Sequence, residues 1–227
     1  MSLIRKAKRS NIPLKLGVSG PSGSGKTYSS ILLAKGLMGG TLDDVCFLDS
    51  ENQSADLYSH LGAFSTIDFK PPYGPQRYID AIAYAEKCGV KCLIIDSTSH
   101  EWIGTGGCVE IHSAMTGNSF QNWGKIKLKH NQFIEAIKLS PMHIICARRR
   151  KQEYSMDKDS NGRTTITKMG MKEEQAEGFE YDLTLDFDIQ INHMASASKD
   201  RTMLFKDGVP FQITEATGKT IRDWNNA

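Results

Sequence analysis

The sequence lacks the features that mark membrane, secreted and disulfide-stabilised proteins. No apolar run in the 227 residues approaches the length of a membrane-spanning helix, and the basic start contains no apolar stretch of the kind found in secretory signals. The five cysteines are an odd number without CxxC spacing, which argues against a disulfide framework. The six histidines form no HExxH motif and no pairing with cysteine at the spacing of zinc sites. We therefore expect a cytoplasmic protein with no membrane segment.

Net charge is also nearly absent, so the chain as a whole does not have the composition of a nucleic-acid-binding protein. The formal net charge is +2, and 39% of the residues are apolar, as in an ordinary globular protein. Positive charge is instead concentrated in three clusters: Arg5, Lys6, Lys8 and Arg9; Lys125, Lys127 and Lys129; and residues 148–151. The length suits one domain with a sizeable core. We predict a single domain over residues 1–227, with a basic N-terminal segment at 1–13.

The apolar pattern predicts strands alternating with helices. Strands are expected at residues 14–19, 45–48, 65–69, 92–95 and 142–147, and helices near 26–37, 79–86 and 126–137. This alternation is typical of an α/β fold whose mainly parallel central sheet carries helices on both faces. After residue 150 the pattern changes. Asn161-Gly162 predicts a hairpin-like loop over about 149–178, and the stretches 181–187, 189–193 and 203–205 predict a β-rich C-terminal part.

A glycine-rich motif lies between the first predicted strand and the first predicted helix. The motif matches GxxxxGK[ST] at every fixed position. Glycines let successive backbone N–H groups face phosphate oxygens, and the helix N-terminus adds a favourable dipole. Lys26 is expected to reach the β- and γ-phosphates, and Thr27 to place its hydroxyl on Mg²⁺. The predicted ATP-binding residues are Gly20, Pro21, Ser22, Gly23, Ser24, Gly25, Lys26, Thr27 and Tyr28.

A second metal ligand is expected at Asp96. This carboxylate directly follows the apolar run Cys92-Leu93-Ile94-Ile95, so it would lie at the carboxyl end of a buried strand beside the phosphate loop. An aspartate in this place holds Mg²⁺ directly or through water in P-loop proteins. The alternative is that Asp96 has a structural role as a helix cap or a turn residue. Together with Thr27, Asp96 predicts a magnesium site.

The run Phe47-Leu48-Asp49-Ser50-Glu51 resembles a strand-end motif of RecA-type ATPases. The resemblance implies that Glu51 orients and polarises the attacking water, although a surface carboxylate is the alternative. Lys199-Asp200-Arg201 is similar to the KxR motif of RecA- and KaiC-like ATPases, in which both cations reach the γ-phosphate of a neighbouring subunit. The resemblance thus implies a RecA-like P-loop NTPase fold, catalytic roles for Lys26, Glu51, Lys199 and Arg201, and a homo-oligomeric ring or filament.

Over about residues 14–205, the chain most resembles small RecA-core ATPases encoded by bacteriophages, including Sak-type single-strand annealing proteins. The resemblance implies that two loops, at about 104–124 and 149–178, line a path for single-stranded DNA. The first has Trp102, Phe120 and Trp123 at or near its ends, and the second is basic. The candidate DNA-binding residues are Arg149, Arg150, Lys151, Arg163 and Lys168. Arg148, at a strand end, is a candidate γ-phosphate sensor, and His100-Glu101-Trp102 is a further candidate site near Asp96.

The function predicted from these features is Mg-ATP hydrolysis coupled to single-stranded DNA binding, annealing or recombination in a phage or prophage. Two alternatives stay open. One is a small-molecule or nucleoside kinase in which the arginines at 148–150 form a lid. The other is a nucleotide-dependent loader or switch protein with little turnover.

Overall fold

The fold was taken from a computed structural model that describes residues 11–158 and 164–227, and along 152–158 and 164–170 it describes the backbone alone. The strands are Lys15–Gly20 (β1), Val45–Asp49 (β2), Ser65–Asp68 (β3), Cys92–Asp96 (β4), His143–Lys158 (β5), Thr164–Glu173 (β6), Leu185–Ile189 (β7) and Ala195–Asp200 (β8). The α-helices are Lys26–Leu37 (α1), Pro75–Lys87 (α2), Ser99–Ile103 (α3), Cys108–Ser113 (α4), Ser119–Leu139 (α5) and Glu215–Asn226 (α6). Ser54–Leu61 and Phe179–Asp182 form 3-10 turns. No helix among these residues is long and apolar enough to cross a membrane.

One twisted sheet organises the molecule, in the order β3-β2-β4-β5-β1-β7-β8. The strands from β3 to β7 pair in parallel, whereas β8 runs antiparallel to β7 and β6 runs antiparallel to β5. Strands β1, β2 and β4 are buried along their whole length, as expected where helices cover both faces of a parallel sheet. The mainly parallel α/β sheet predicted from the sequence is confirmed.

Each face of the sheet has its own apolar core because side chains alternate along a strand. On one face, Cys92 and Ile94 of β4 belong to the core that also includes α1 and Ile221 of α6. On the other face, Leu93 and Ile95 belong to the core formed with helices α2 and α5. The predicted arrangement of helices on both faces is therefore correct.

The C-terminal part differs from the prediction of a mainly β tail. Residues 203–205 form no strand, and residues 190–193 are a turn that joins β7 to β8. The chain then ends in helix α6, which packs against α1 through two glycines. A Cβ atom at Gly218 would lie 2.3 Å from the Leu33 carbonyl oxygen and 2.9 Å from the Gly36 Cα. The apolar pattern missed α6 because glycine lies in its contact face.

A hairpin is present, and its strand pairing covers residues 150–158 and 164–173, within the predicted range of about 149–178. Strand β5 continues past Ala147 to Lys158, and it pairs with β6 from Arg150↔Glu173 to Lys158↔Thr164. The Asn161-Gly162 turn lies outside the described residues. Since β6 pairs only with β5 in the described part of the chain, this hairpin extends away from the main sheet at its carboxyl edge.

Candidate nucleotide-binding site

The phosphate loop follows β1 and leads directly into helix α1, as predicted. Gly23 and Gly25 have φ values of 79° and 92°, in the left-handed region that favours glycine. At Gly20 a Cβ atom would lie 2.5 Å from the Ile189 carbonyl oxygen, so the start of the loop also requires glycine. The Ser24 hydroxyl is buried and has no hydrogen-bond partner among the described residues. These features form a cradle of the kind that holds an anion at a helix N-terminus.

Lys26, the first residue of α1, lies where a phosphate-binding lysine is expected. Its Nζ donates a hydrogen bond to the Pro21 carbonyl oxygen at 2.9 Å, so the side chain folds back over the loop. Burial lowers the pKa of Lys26, and the nearby carboxylates of Asp96 and Glu51 act against this shift. The nearby carboxylates act to keep the ammonium group protonated, and its partial desolvation strengthens its attraction to a phosphate oxygen.

Thr27 and Asp96 meet at the carboxyl edge of the sheet. The Thr27 hydroxyl donates a hydrogen bond to Asp96 Oδ2 at 2.6 Å, and Asp96 is buried at the end of β4. Burial raises the pKa of Asp96 to about 6, although the hydrogen bond from Thr27 acts to lower it. A hydroxyl and a carboxylate oxygen in contact are the hard donors that Mg²⁺ prefers, so this pair fits the predicted metal site.

Glu51, two residues beyond the end of β2, forms an ion pair with Arg149 of β5. Arg149 Nε donates to Glu51 Oε1 at 2.8 Å, and Arg149 Nη2 donates to the other carboxylate oxygen, so the pair is bidentate. Burial acts to raise the pKa of Glu51, but hydrogen bonds and charge from Arg149 prevail and lower it. His100 Nε2 lies 3.9 Å from the same carboxylate. Glu51 is thus an ionised carboxylate beside the phosphate loop.

These groups line one pocket with a cavity volume of about 870 Å³. The pocket includes the loop from Ser22 to Ser29, together with Glu51 and Asp96. It also includes residues that the sequence did not predict for the nucleotide: Ser54, Tyr58, Glu174, His193, Gln212 and Ile213. These residues lie far apart in the sequence, so no sequence motif marks them. His193 Nδ1 lies 3.0 Å from the Ser24 carbonyl oxygen, so the β7–β8 turn supports the phosphate loop from the side.

The structure does not bring Arg148, the candidate sensor, to the pocket. Its side chain is fully buried, with Nη2 2.5 Å from Asp186 Oδ1 and Nη1 3.2 Å from Glu173 Oε2. The guanidinium also lies over the Phe179 ring. Because side chains alternate along β5, Arg149 faces the nucleotide pocket and Arg148 does not.

The candidate DNA-binding cations of the hairpin are mostly engaged in ion pairs. Arg149 binds Glu51, Arg150 Nη1 lies 2.6 Å from Asp188 Oδ2, and Lys151 Nζ lies 3.1 Å from Glu174 Oε1. All three line the nucleotide pocket. Arg163 lies outside the described residues, and Lys168 is described only through its backbone in β6. The base of the hairpin thus forms part of the wall of the candidate nucleotide pocket.

The other predicted loop carries aromatic groups on short helices. Trp102 stacks on Trp123 with ring centroids 5.8 Å apart, and Trp123 stacks on His112 at 3.9 Å. Phe120, near the start of α5, has 88% of its surface exposed. His100 instead packs inside, with Nδ1 2.8 Å from the Ser50 hydroxyl oxygen. In this loop the Phe120 ring is therefore exposed, whereas the rings of Trp102, Trp123 and His112 stack on one another.

The predicted trans cations lie at the opposite edge of the sheet. Lys199 Nζ donates to the carbonyl oxygens of Glu180 and Tyr181 at 2.7 and 2.6 Å, and Arg201 Nη2 donates to that of Tyr181 at 3.0 Å. Strand β8 ends beside the start of β7, with Asp200 opposite Leu185. The two cations are therefore near each other and remote from the phosphate loop of the same chain.

A family model for the AAA domain matches residues 12–212, which is most of the chain and includes every pocket-lining residue except Ile213. The chain belongs to this AAA domain family. A search of curated proteins found no match. Among solved structures, a KaiC-like protein from the hyperthermophilic archaeon Pyrococcus horikoshii OT3 is similar, with a TM-score of 0.51 and 14% identity over 90% of this chain and 88% of that one. This likeness supports the RecA-like fold. The AAA domain described here is thus a nucleotide-binding P-loop ATPase core.

Proposed function

We propose that this AAA domain hydrolyses Mg-ATP and couples the reaction to single-stranded DNA. The observation that carries the proposal is the convergence of three groups on one pocket. Lys26 lies at the end of the phosphate loop, the Thr27–Asp96 pair lies beside it, and the ionised carboxylate of Glu51 lies across the cavity. Binding of a triphosphate, binding of a divalent cation and activation of water each require one of these groups.

The loop amides and Lys26 would bind the phosphates, and Thr27 and Asp96 would hold Mg²⁺. When bound, Mg²⁺ supplies positive charge that offsets the charge of the transferring phosphoryl group. Glu51 would orient a water for attack on the γ-phosphorus and accept its proton as the bond to ADP breaks. Because the pKa of Glu51 is lowered, the carboxylate is ionised at neutral pH and does not have to lose a proton first.

Arg149 has a positioning role in this mechanism. In the structure it holds both oxygens of Glu51, and it also lines the pocket where phosphates would bind. The phosphates therefore offer the guanidinium a second anionic partner. Movement of Arg149 towards them would free Glu51 for water. Since Arg149 begins the β5–β6 hairpin, the same movement provides a link between the nucleotide and the hairpin.

The coupling to DNA rests on the resemblance to phage-encoded annealing ATPases and on the exposed ring of Phe120. A solvent-exposed aromatic side chain is an effective platform for stacking an unpaired base. We place the activity in the bacterial cytoplasm, in annealing, recombination or repair by a phage or prophage. Assembly into a ring or filament would bring Lys199 and Arg201 of one copy to the phosphates of the next.

The test is steady-state ATP hydrolysis by the purified protein, with and without single-stranded DNA, for the wild type and two variants. Phe120→Ala and Leu139→Ala each remove an exposed apolar side chain from helix α5, at opposite ends of that helix. We expect DNA to stimulate the wild type and Leu139→Ala, and to stimulate Phe120→Ala less. Hydrolysis that ignores DNA in all three proteins would refute the coupling and leave the ATPase intact.

A further inference from the structure

Three metal-ligand side chains meet in the interior of the molecule, outside the nucleotide pocket. Glu101 of α3, Cys108 of α4 and His130 of α5 each offer one ligand atom, and these atoms all lie within 4.8 Å of one another. Glu101 and Cys108 have no exposed surface, and His130 is 7% exposed. A carboxylate, a thiol and an imidazole are each polar, so their common burial against one another requires a physical reason.

The local chain is built to bring these three groups together. Helix α3 ends at Ile103, and a tight turn brings Cys108 back over Glu101. At Gly107 a Cβ atom would lie 2.7 to 2.8 Å from the carbonyl oxygens of His100, Glu101 and Gly104, so only glycine fits the turn. The Trp102 ring packs edge-on against the His130 ring, with centroids 5.0 Å apart, and thereby holds the imidazole in place.

The distances match those between ligands of a small tetrahedral ion. Glu101 Oε1 lies 3.1 Å from both His130 Nδ1 and Cys108 Sγ. Tetrahedral zinc with bonds of about 2.0–2.3 Å separates its ligand atoms by roughly 3.3–3.8 Å. Binding of an ion would lengthen the two distances to Glu101 Oε1 by a few tenths of an ångström, and the ligand atoms of His130 and Cys108, which lie within 4.8 Å of each other, would need to shift by no more than about 1 Å.

We propose that Glu101, Cys108 and His130 form a Zn²⁺ site. The donor set of one sulfur, one imidazole nitrogen and one carboxylate oxygen suits zinc, whereas Mg²⁺ and Ca²⁺ prefer oxygen ligands alone. The charges also balance, because a dication, a thiolate, a carboxylate and a neutral imidazole sum to zero, and a neutral cluster is the least costly to bury. Three protein ligands leave one tetrahedral position for a water molecule.

Binding at this site releases the thiol proton of Cys108 to solvent, because the thiolate is the ligand. Burial, together with the charge of Glu101, raises the pKa of this thiol well above its usual range. Metal-free protein thus keeps Cys108 protonated, with Sγ donating to Glu101.

A Zn²⁺ ion bound at this site would restrict the movement of the segment that follows β4. Helices α3 and α4 carry two of the ligands, and α5 carries the third, so one ion would tie residues 101–108 to the helix that covers the sheet. The same segment follows Asp96 by a few residues and contains the start of the loop at about 104–124 that is predicted to face DNA. The zinc proposal itself rests only on the three buried side chains and is independent of DNA binding and of ATP hydrolysis.

The experiment is Co²⁺ substitution of the full-length, tag-free protein, followed by optical absorption and by metal analysis. Co²⁺ is an effective spectroscopic substitute for zinc because thiolate ligation gives charge-transfer absorption in the near ultraviolet. Cys108→Ala removes the sulfur ligand, and Cys146→Ala removes another fully buried thiol, on β5, away from the cluster. We expect the wild type and Cys146→Ala to bind one Co²⁺ per chain with the thiolate band, and Zn²⁺ to displace it.

In Cys108→Ala the thiolate band should disappear, and metal affinity should fall by more than the roughly 10–100-fold that loss of an outer-sphere partner costs. If that variant does not fold, His130→Gln keeps a hydrogen-bonding group in place and should also lose the metal. Wild-type protein that binds no Co²⁺ or Zn²⁺ would overturn the proposal. A Co²⁺ band that persists unchanged in Cys108→Ala would overturn it as well, and the cluster would then be a hydrogen-bond network only.

Discussion

The two edges of the sheet carry two different kinds of cationic group. At the carboxyl edge, Lys26 lies in an open pocket with Asp96 and Glu51, where a bound nucleotide would complete its contacts. At the amino edge, Lys199 and Arg201 are held by the carbonyl oxygens of residues 180 and 181. The Arg201 amide donates to the Thr184 carbonyl, and the Thr184 amide donates to that of Lys15, the first residue of β1. The phosphate loop begins at the other end of this strand.

This comparison shows that one chain does not bring both sets of cations to one phosphate. A rigid sheet keeps the edges apart, so Lys199 and Arg201 can act on a nucleotide only if it is bound to another copy. In the proposed ring or filament, head-to-tail contact would bring the amino edge of one chain to the carboxyl edge of the next.

Large losses of activity are expected at both edges, and Lys26→Ala tests the carboxyl edge. Loss of the ammonium group removes a preplaced cation from the phosphate site, so ATP turnover should fall by at least about 10²–10³-fold. ATP binding, measured by calorimetry, should also weaken. Lys35→Ala in the same helix is the control, because Lys35 pairs with Glu215 and not with the pocket. Equal losses in both variants would contradict the assigned role.

The amino edge is tested by Arg201→Ala, which should lower turnover by about 10³-fold if the guanidinium acts as a trans finger. Mixing this variant with Lys26→Ala chains then tests whether the amino edge of one chain completes the site at the carboxyl edge of another. A site formed by the intact loop of one variant and the intact Arg201 of the other regains activity. Equal amounts should restore about a quarter of the wild-type rate per site in a head-to-tail assembly. A mixture as inactive as its components would show that Arg201 does not act between copies.

A smaller, pH-dependent effect is expected at Asp96. Burial raises the pKa of this carboxyl to about 6, so protons compete with Mg²⁺ for it as the pH falls through that value. Mg-ATP affinity should therefore fall by about tenfold between pH 7 and pH 5. The Asp96→Asn variant should bind Mg-ATP more weakly than the wild type, and its affinity should lack the fall of about tenfold between pH 7 and pH 5. ATP also titrates in this range, so the difference between the two proteins is the quantity to measure.

The smallest effect concerns the packing of α1 against α6, between the two edges. Gly218→Ala places a Cβ atom 2.3 Å from the Leu33 carbonyl oxygen, and it should lower the free energy of unfolding by about 1–3 kcal/mol. Gly124→Ala is the same change in the interior of helix α5, where the new Cβ meets nothing within 4 Å. It should raise the free energy of unfolding by about 0.5–1 kcal/mol. Chemical denaturation of both variants measures these changes in the free energy of unfolding. Changes of the same sign and size in the two variants would contradict the assigned packing.

The sequence predicted the parts of the molecule that local patterns determine. Strands β2 and β4 are apolar runs that end in an aspartate, and the phosphate loop, Asp96 and Glu51 lie at or within two residues of a strand end, so their places in the fold could be inferred. The partner of Glu51 could not be predicted, because alternation along β5 decides whether Arg148 or Arg149 faces the pocket. His193 and the Glu101–Cys108–His130 cluster were missed because long-range packing, without any motif spacing, brings these residues to their partners.

The most direct test of the account is Glu51→Gln, measured for both ATP binding and ATP turnover. Glutamine keeps the size and hydrogen-bonding capacity of the side chain and removes its ability to accept a proton. We predict that the variant binds Mg-ATP about as tightly as the wild type and that its turnover falls by about 10²-fold or more. Turnover equal to that of the wild type would show that Glu51 is not the base, and would contradict the proposed mechanism.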